Sequence, residues 1–152
     1  MISPEPYLLD TNVLVYAVDQ MSPYHKAASS LANKGFNGDI QACVSPQILS
    51  EFFATVTNSK VVSATTEQKE VVSEMRKYFV SSRILKIYPT SATLKIMLDL
   101  LDKYAVSRQD VYDLQLVATM LSNNITTICT YDVNGFRKYQ GIEVLTPDAI
   151  LR

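Results

Sequence analysis

The sequence predicts a single three-layer α/β domain with a mostly parallel sheet of about five strands. Short β-rich runs alternate with amphipathic helical segments along the chain, which is the pattern of a parallel sheet covered on both faces. No linker or low-complexity stretch divides the 152 residues, so we predict one domain over residues 1–152. Only 4 glycines occur. Since glycine supplies the positive-φ turns of tight hairpins, this scarcity disfavours a hairpin-rich all-β fold.

The predicted strands are short apolar runs bounded by polar or turn-forming residues. The first strand ends at Asp10, and the third is closed by Pro89, which cannot donate a hydrogen bond to a sheet. Helical segments, several of them in pairs, lie between these strands. In chain order, we expect strands at residues 7–9, 40–45, 84–88, 125–130 and 142–145.

Helix boundaries are predicted from capping residues and from the spacing of apolar side chains. Ser22-Pro23 and Ser45-Pro46 each place an N-cap residue before a proline at the first helical position, and Gly35 is expected to end the earlier of these two helices. Thr65-x-x-Gln68 has the spacing of a capping box. Apolar positions at helical spacing predict helices around residues 12–18, 27–32, 48–56, 71–79, 94–104 and 111–121.

Charge and cysteine content disfavour several classes of protein. The 14 basic and 15 acidic residues leave a net charge of −1, so a nucleic-acid binder would need local basic clusters or metal ions. Cys43 and Cys129 lie in short apolar runs and are interpreted as buried thiols, and a single histidine provides too few ligands for a structural zinc site.

The longest apolar run, residues 13–18, is far short of a membrane span, and the first ten residues lack the basic region of a signal peptide. We therefore expect a cytoplasmic protein without a membrane partner.

Four acidic residues lie where a parallel α/β sheet places its ligand site. In such sheets, ligands bind outside the carboxyl ends of the strands. Asp10 follows the first predicted strand and Asp132 follows the fourth, while Glu51 and Asp113 lie on helices, at or beyond the border of the apolar stripe. Taken singly, each acid is also explained as a turn or cap residue or as part of a solvated helix face. Spacing alone leaves open whether Glu51 faces solvent or the sheet edge.

Read together with their neighbours, these acids form an ordered set of four motifs. The motifs are Leu8-Leu9-Asp10-Thr11-Asn12, Ser45-Pro46-Gln47-x-x-x-Glu51-Phe52, Asp113-x-x-x-Val117-Ala118-Thr119 and Thr130-x-Asp132-x-x-x-Phe136. Each is short, but the four in this order resemble the PIN-domain nucleases, and most closely the VapC-type toxins of bacterial and archaeal toxin–antitoxin pairs. The resemblance covers residues 8–147. It implies a PIN-like α/β/α domain that hydrolyses RNA endonucleolytically with a divalent metal ion.

The resemblance also implies a role for each acid. Asp10, Glu51, Asp113 and Asp132 would form a catalytic quartet, in which the three aspartates bind Mg²⁺ or Mn²⁺ and Glu51 orients or deprotonates the attacking water. Hard divalent cations prefer carboxylate oxygens, and the cation would supply positive charge that this chain lacks. Without a cation, clustered carboxylates are expected to raise one another's pKa.

Further residues are assigned supporting roles as hypotheses. Three polar residues are candidates for hydrogen bonding to the carboxylates, with capping or strand-end roles as the alternative: Thr11, Asn12 and Thr130. Three cationic residues near the motifs are candidates for contacting RNA phosphates, although such charges are usually only solvated: Arg108, Arg137 and Lys138. Tyr131 and Tyr139 are candidates for stacking on bases, with packing at the edge of the core favoured.

The chain departs from the family pattern at one position. Many relatives carry an acid immediately before the residue that is Phe136 here, whereas this chain has Gly135. If that acid matters, Asp132 must fill the fourth position alone. Asp110, one turn before Asp113, is a candidate substitute ligand, although an N-cap role is favoured.

Partners and alternative functions follow from the same resemblance. An RNA substrate, a small antitoxin protein covering the acidic site, and a homodimer are implied. Two alternatives stay open: a catalytically silent PIN-like module that binds RNA or protein, and a housekeeping RNA-processing nuclease.

Aspartyl-nucleophile phosphotransferases are disfavoured because they need an acid two residues after the first Asp, where this chain has Asn12, and a lysine after a later strand. Neither glycine-rich nucleotide-binding fingerprint occurs in the sequence.

Overall fold

Five short parallel strands form the central sheet of the molecule. The computed structural model describes residues 5–62 and 64–152; residues 1–4, part of the segment in which no signal peptide is expected, lie outside these ranges. The strands are β1 (Tyr7–Leu9), β2 (Ala42–Val44), β3 (Leu85–Lys86), β4 (Thr127–Cys129) and β5 (Glu143–Leu145). They are arranged in the order β3-β2-β1-β4-β5, and all four pairings are parallel. The predicted α/β class and five-stranded sheet are confirmed.

Helices flank this sheet and connect its strands. They are α1 (Thr11–Val18), α2 (His25–Asn37), α3 (Pro46–Val56), α4 (Gln68–Val80), α5 (Thr93–Lys103), α6 (Asp110–Ser122), α7 (Val133–Phe136) and α8 (Pro147–Leu151). The two shortest, α7 and α8, were not expected from apolar spacing. Each begins at a side-chain cap: Asp132 accepts a hydrogen bond from the amide of Gly135, and Thr146 accepts one from Ala149. Within the described residues, no helix is long and apolar enough to cross a membrane.

The order of the strands fixes where a ligand site can form. From β1 the chain adds β2 and β3 on one side of the sheet, and it then crosses to add β4 and β5 on the other side. Parallel crossovers are right-handed, so this reversal puts the connecting helices on opposite faces and opens a crevice between β1 and β4. Leu9 pairs with Cys129 at the ends of these two strands. Asp10 therefore lies at this crevice.

The core consists of the strand residues and the inner faces of the helices. Leu8, Leu9 and Ile128 are fully buried, as are the free thiols Cys43 and Cys129 on either side of β1. The interpretation of both cysteines as buried hydrophobic residues is confirmed. Such burial of a continuous apolar sheet supplies most of the stabilisation of a parallel α/β domain.

Two predicted boundaries of α2 are wrong. The helix begins at His25 rather than at Pro23, and it ends at Asn37, where Gly38 adopts the left-handed conformation with φ of 81°. Gly35 lies inside the helix and is buried against the sheet. A Cβ atom at position 35 would lie 3.0 Å from the Cβ of Ala42, so this glycine allows α2 to pack closely on β2.

Two expectations about the later helices are also corrected. The capping box at Thr65 does not form: α4 has Glu67 at its N-cap position, and within the described residues no side chain caps its first turn. The apolar spacing that predicts α5 does not make a buried stripe throughout: Leu94 is 64% exposed and Leu98 is 54% exposed. Helical spacing identifies a face of a helix, whereas burial depends on whether another element covers that face.

Candidate active site

Asp10 is held at the junction of β1 and α1. Its carboxylate caps α1 by accepting a hydrogen bond from the backbone amide of Thr11 at 2.8 Å, and its second oxygen accepts from the hydroxyl of Thr130 at 2.6 Å. The amide group of Asn12 lies 3.4 Å from that second oxygen. Asp10 is 8% exposed, so this carboxylate is buried and strongly positioned. The capping role and the site position, which the sequence left as alternatives, coexist in one residue.

Thr130 connects the end of β4 to the end of β1. Its hydroxyl donates to Asp10 and accepts from the backbone amide of Asp132 at 2.9 Å and from the Asn12 amide at 3.1 Å. Asn12 in turn accepts a hydrogen bond from the backbone amide of Tyr131 at 3.2 Å. These contacts fasten the Asp10 and Asp132 segments together. Asn12 and Thr130 thus both donate hydrogen bonds to the Asp10 carboxylate.

Asp132 is positioned by the short helix α7. Its side chain accepts a hydrogen bond from the backbone amide of Gly135 at 3.3 Å and so caps that helix. A Cβ atom at position 135 would lie only 2.5 Å from Oδ2 of Asp132. Gly135 stands where the family pattern has an acid, and the absence of a side chain there leaves room for the Asp132 carboxylate in its present position.

Glu51 and Asp113 reach the same edge of the sheet from α3 and α6. Ser45 caps α3, with its hydroxyl accepting from the backbone amide of Ile48 at 3.3 Å, and this starts the helix directly after β2. The side chain of Glu51 accepts a hydrogen bond from the Thr11 hydroxyl at 2.9 Å, so it faces the sheet edge. Asp113 lies in the first turn of α6 and is partly buried. The structure thus settles the orientation of Glu51, which spacing had left open.

The four acids line one open cavity of about 470 Å³. A fifth acid, Asp19, also lines it and was missed in the sequence. Asp19 follows Val15 by four residues and so lies on the same face of α1, and this spacing is the signal that could have identified it. Among the described residues that line this cavity, none is lysine, arginine or histidine.

The electrostatics of the cavity follow from burial and from like charges. Burial raises the pKa of Asp10 to about 6, against the lowering effect of the hydrogen bonds from Thr130 and Thr11. The pKa of Asp113 is raised to about 7, first by burial and then by the negative charges of Asp10, Asp132 and Glu51. The carboxylates therefore repel one another. As a result, Asp10 and Asp113 each hold a proton for part of the time near neutral pH.

The donor set suits a hard divalent cation, although the arrangement is open. Carboxylate oxygens that face one cavity without a basic side chain are the ligands that Mg²⁺ and Mn²⁺ prefer. As the side chains stand in residues 5–62 and 64–152, no three His, Cys, Asp or Glu groups form a closed set around one point. A cation bound by several of these acids would therefore have to bring their carboxylates closer together.

The remaining predicted residues lie outside the acidic cavity. Asp110 is the first residue of α6 rather than its N-cap, which is Gln109, and its charge contributes to the raised pKa of Asp113. The three cations proposed to contact phosphates are exposed and do not line the cavity: Arg108, Arg137 and Lys138. Tyr131 packs between Tyr16 and Tyr24, with ring centroids 5.4 and 4.5 Å away, and Tyr139 is 2% exposed. Both tyrosines pack, as the favoured interpretation states.

The fold and the site define a class: a parallel α/β domain with a carboxylate-lined cavity at the reversal point of its sheet. The family model of the PIN domain matches residues 7–142. The chain therefore belongs to the PIN domain family.

Two curated relatives and two solved structures show the extent of the similarity. Ribonuclease VapC24 of Mycobacterium tuberculosis is 24% identical over 140 residues, covering 91% of this chain and 94% of the relative. Ribonuclease VapC48 of the same organism is 23% identical over 138 residues, with the same coverage. The VapBC2 structure from Rickettsia felis, bound to a DNA fragment from its promoter, has a TM-score of 0.62 at 17% identity and covers 93% of this chain and 98% of that one. VapC20 of Mycobacterium tuberculosis, a toxin that cleaves the sarcin-ricin loop, has a TM-score of 0.63 at 13% identity and covers 85% and 92%.

Proposed function

We propose that this chain is a divalent-cation-dependent endoribonuclease, the toxin of a toxin–antitoxin pair. The observation that carries the proposal is the acidic cavity, in which Asp10, Glu51, Asp113 and Asp132 face one space that no basic side chain among the described residues enters. Because carboxylates repel a phosphate, an RNA backbone can bind in such a cavity only when a cation from outside the chain supplies positive charge. Its similarity over 91% of its length to relatives named as ribonucleases supports the choice of reaction.

In this proposal, the three aspartates hold Mg²⁺ or Mn²⁺, and the other residues support them. When bound, the cation supplies Lewis acidity and positive charge for a phosphodiester. Glu51 is placed to orient water and to take up its proton, since its carboxylate is held by Thr11 and lies 3.5 Å from the Gln47 amide. Thr130 keeps the Asp10 carboxylate aimed at the cavity.

A catalytically silent RNA-binding module is the competing function. The spread of the carboxylates favours it, because no three of the described acids form a closed metal-binding group as they stand. A silent module would bind RNA without cutting it. Turnover, rather than binding, therefore separates the two functions.

The test is cleavage of a structured RNA pool by purified protein in Mg²⁺, in Mn²⁺ and in EDTA. Asp113→Asn removes one proposed ligand while preserving size, and Asp102→Asn, an exposed position on α5, is the matched control. We expect cleavage in both metals by wild type and by Asp102→Asn, and none in EDTA or by Asp113→Asn. Circular dichroism would establish that both variants are folded. Equal cleavage by Asp113→Asn would contradict the proposal.

An antitoxin partner is part of the proposal. Two of the similar structures are a toxin–antitoxin complex from Klebsiella pneumoniae and a DNA-bound VapBC from Salmonella typhimurium, with TM-scores of 0.59 and 0.62. Beside the acids, the cavity is lined by Val61 and Val62, and Val61 is 62% exposed. A protein segment lying on this apolar rim would block the acids. If a small protein encoded next to this gene co-purifies with the chain and inhibits cleavage, the toxin role stands. An active enzyme without such an inhibitor would instead be a housekeeping nuclease.

A further inference from the structure

A second cavity lies next to the acidic one, and Glu51 belongs to the walls of both. Its volume is about 500 Å³. Its walls include Gln47 and Ser50 from α3, Tyr112 and Gln115 from α6, and Pro89 after β3. We call it the side cavity.

Both cavities open along the same edge of the sheet. Ser45, which follows β2, and Pro89, which lies shortly after β3, line the side cavity, while Asp10 follows β1 and lines the acidic cavity. Because β1, β2 and β3 are consecutive parallel neighbours, their carboxyl ends meet at one rim. Adjacent strands are roughly 5 Å apart, so the two cavities are separated by about one or two strand spacings. A single strand of RNA bound at the acids can therefore extend over the side cavity.

The side cavity has a different chemical character from its neighbour. Glu51, on the shared wall, is the one charged residue among the described residues that line it, so nothing there attracts a phosphate. Two glutamine amides, Gln47 and Gln115, supply hydrogen-bonding groups. Tyr112 is 54% exposed and offers an aromatic face, and Pro89 adds apolar surface. A flat uncharged ring with a polar edge, such as a nucleobase, matches this lining.

Gln47 carries an unused hydrogen-bond acceptor at this cavity. Its amide nitrogen donates to the backbone carbonyl of Tyr112 at 2.9 Å and lies 3.5 Å from a Glu51 oxygen. Its Oε1 atom is buried and has no hydrogen-bond partner in the described part of the chain. Buried polar atoms are almost always paired, and a bound ligand group with an N–H donor would supply a partner for this oxygen. When unpaired, each of the four RNA bases presents an N–H donor at its edge, at a position that differs from base to base.

From these observations, we propose that the side cavity holds the base of a nucleotide next to the cleaved phosphodiester and thereby sets a base preference. Tyr112 contacts the face of this base, and Gln47 and Gln115 contact its edge. The proposal rests on the proposed ribonuclease function, because that function places a phosphodiester at the neighbouring acids.

The first test measures base preference with oligonucleotides randomised on both sides of the cut. Tyr112→Ala removes the aromatic face, Tyr112→Phe retains it, and Phe79→Ala removes an equally exposed ring on α4 as a control. We expect wild type, Tyr112→Phe and Phe79→Ala to prefer one base at one position. In Tyr112→Ala, kcat/KM should fall roughly 10-fold, as expected for loss of one stacking contact. The ratio of kcat/KM for the preferred base over the others should fall as well, because the base is no longer held against Gln47 and Gln115. Gln115→Leu should lower the same ratio by removing an edge contact.

The second test is independent of turnover. An Asp113→Asn protein is mixed with single-stranded RNA in which 4-thiouridine is incorporated at random positions, and the crosslinked peptide is identified by mass spectrometry. A crosslink to the segment that contains Tyr112 is expected.

The outcomes distinguish this inference from the function on which it rests. Cleavage by wild type with no base preference, or with a preference unchanged in Tyr112→Ala, overturns the side cavity as a base site and leaves the nuclease intact. Absence of cleavage together with a crosslink at Tyr112 overturns the nuclease and supports the base site in an RNA-binding module. Absence of both cleavage and crosslink overturns both.

Discussion

Asp10→Asn should stabilise this protein at high pH while destroying its activity. The Asp10 carboxylate is 8% exposed, and burial raises its pKa from 3.8 to about 6. The folded chain therefore keeps this proton up to about pH 6, whereas the unfolded chain releases it near pH 3.8. Between these values the folded state binds more protons, so the free energy of unfolding falls as the pH rises.

The size of the effect follows from the shift in pKa. Since a tenfold change in proton affinity is worth about 1.4 kcal/mol, ionised Asp10 lowers the free energy of unfolding by about 3 kcal/mol at pH 8 and by only about 1 kcal/mol at pH 4.5. Asparagine carries no charge and keeps an oxygen for the Thr11 amide, but its NH₂ group suits the Thr130 hydroxyl less well. We therefore expect the free energy of unfolding of Asp10→Asn to be roughly 1–3 kcal/mol higher than that of wild type at pH 8 in EDTA.

The assay is urea unfolding at pH 8 and pH 4.5, followed by circular dichroism, with Asp102→Asn as the matched exposed control. The advantage of Asp10→Asn over wild type should shrink at the lower pH, and the control should match wild type at both. Adding Mn²⁺ at pH 8 should stabilise wild type more than Asp10→Asn. If Asp10→Asn is less stable than wild type by the same amount at both pH values, the burial of a costly charge at this position is refuted.

Three further predictions concern the supports of the site and the assembly. Gly135→Ala should displace the Asp132 carboxylate, which the new Cβ would approach within 2.5 Å, and lower the cleavage rate without lowering the midpoint of thermal unfolding; unchanged cleavage would contradict this. Thr130→Val removes the 2.6 Å hydrogen bond that lowers the pKa of Asp10, so the rise of the cleavage rate with pH should move to higher pH, and an unmoved profile would refute it. Leu98→Glu, on the exposed apolar face of α5, should convert the predicted homodimer to a monomer in light scattering, and a wild-type monomer would remove that prediction.

The architecture was largely predictable because strand and helix signals in this chain agree with the tertiary structure. Ser45-Pro46 starts α3 as expected, and each predicted strand contains an observed one. The prediction failed where tertiary packing overrides a local signal. Gly35 reads as a helix end but is needed for close packing on β2, and the left-handed ending falls at Gly38. The third strand is shorter than predicted: it comprises only Leu85–Lys86 and pairs with β2 alone, at the edge of the sheet.

The site was predictable as a set of acids but not as a geometry. Strand-end logic identifies Asp10 and Asp132 as neighbours because the ends of parallel strands meet. Nothing in the periodicity of α3 indicates that Glu51 bends toward the sheet, since the Thr11 hydroxyl that holds it comes from 40 residues away. The side cavity was not foreseen for a similar reason. Its walls come from α3, α6 and the segment after β3, and no single stretch of sequence contains them.

The most direct test of the central claim is the rate of RNA cleavage as a function of Mn²⁺ concentration at pH 6 and pH 8. Because the pKa of Asp113 is raised to about 7, its ionised fraction should increase roughly 10-fold between these pH values, and the apparent affinity for Mn²⁺ should rise with it. The account predicts that cleavage by wild type saturates with Mn²⁺ and that the Mn²⁺ concentration for half-maximal cleavage falls by about this factor from pH 6 to pH 8. It predicts no cleavage by Asp113→Asn. Cleavage that persists in EDTA, or that is undiminished in Asp113→Asn, would contradict it.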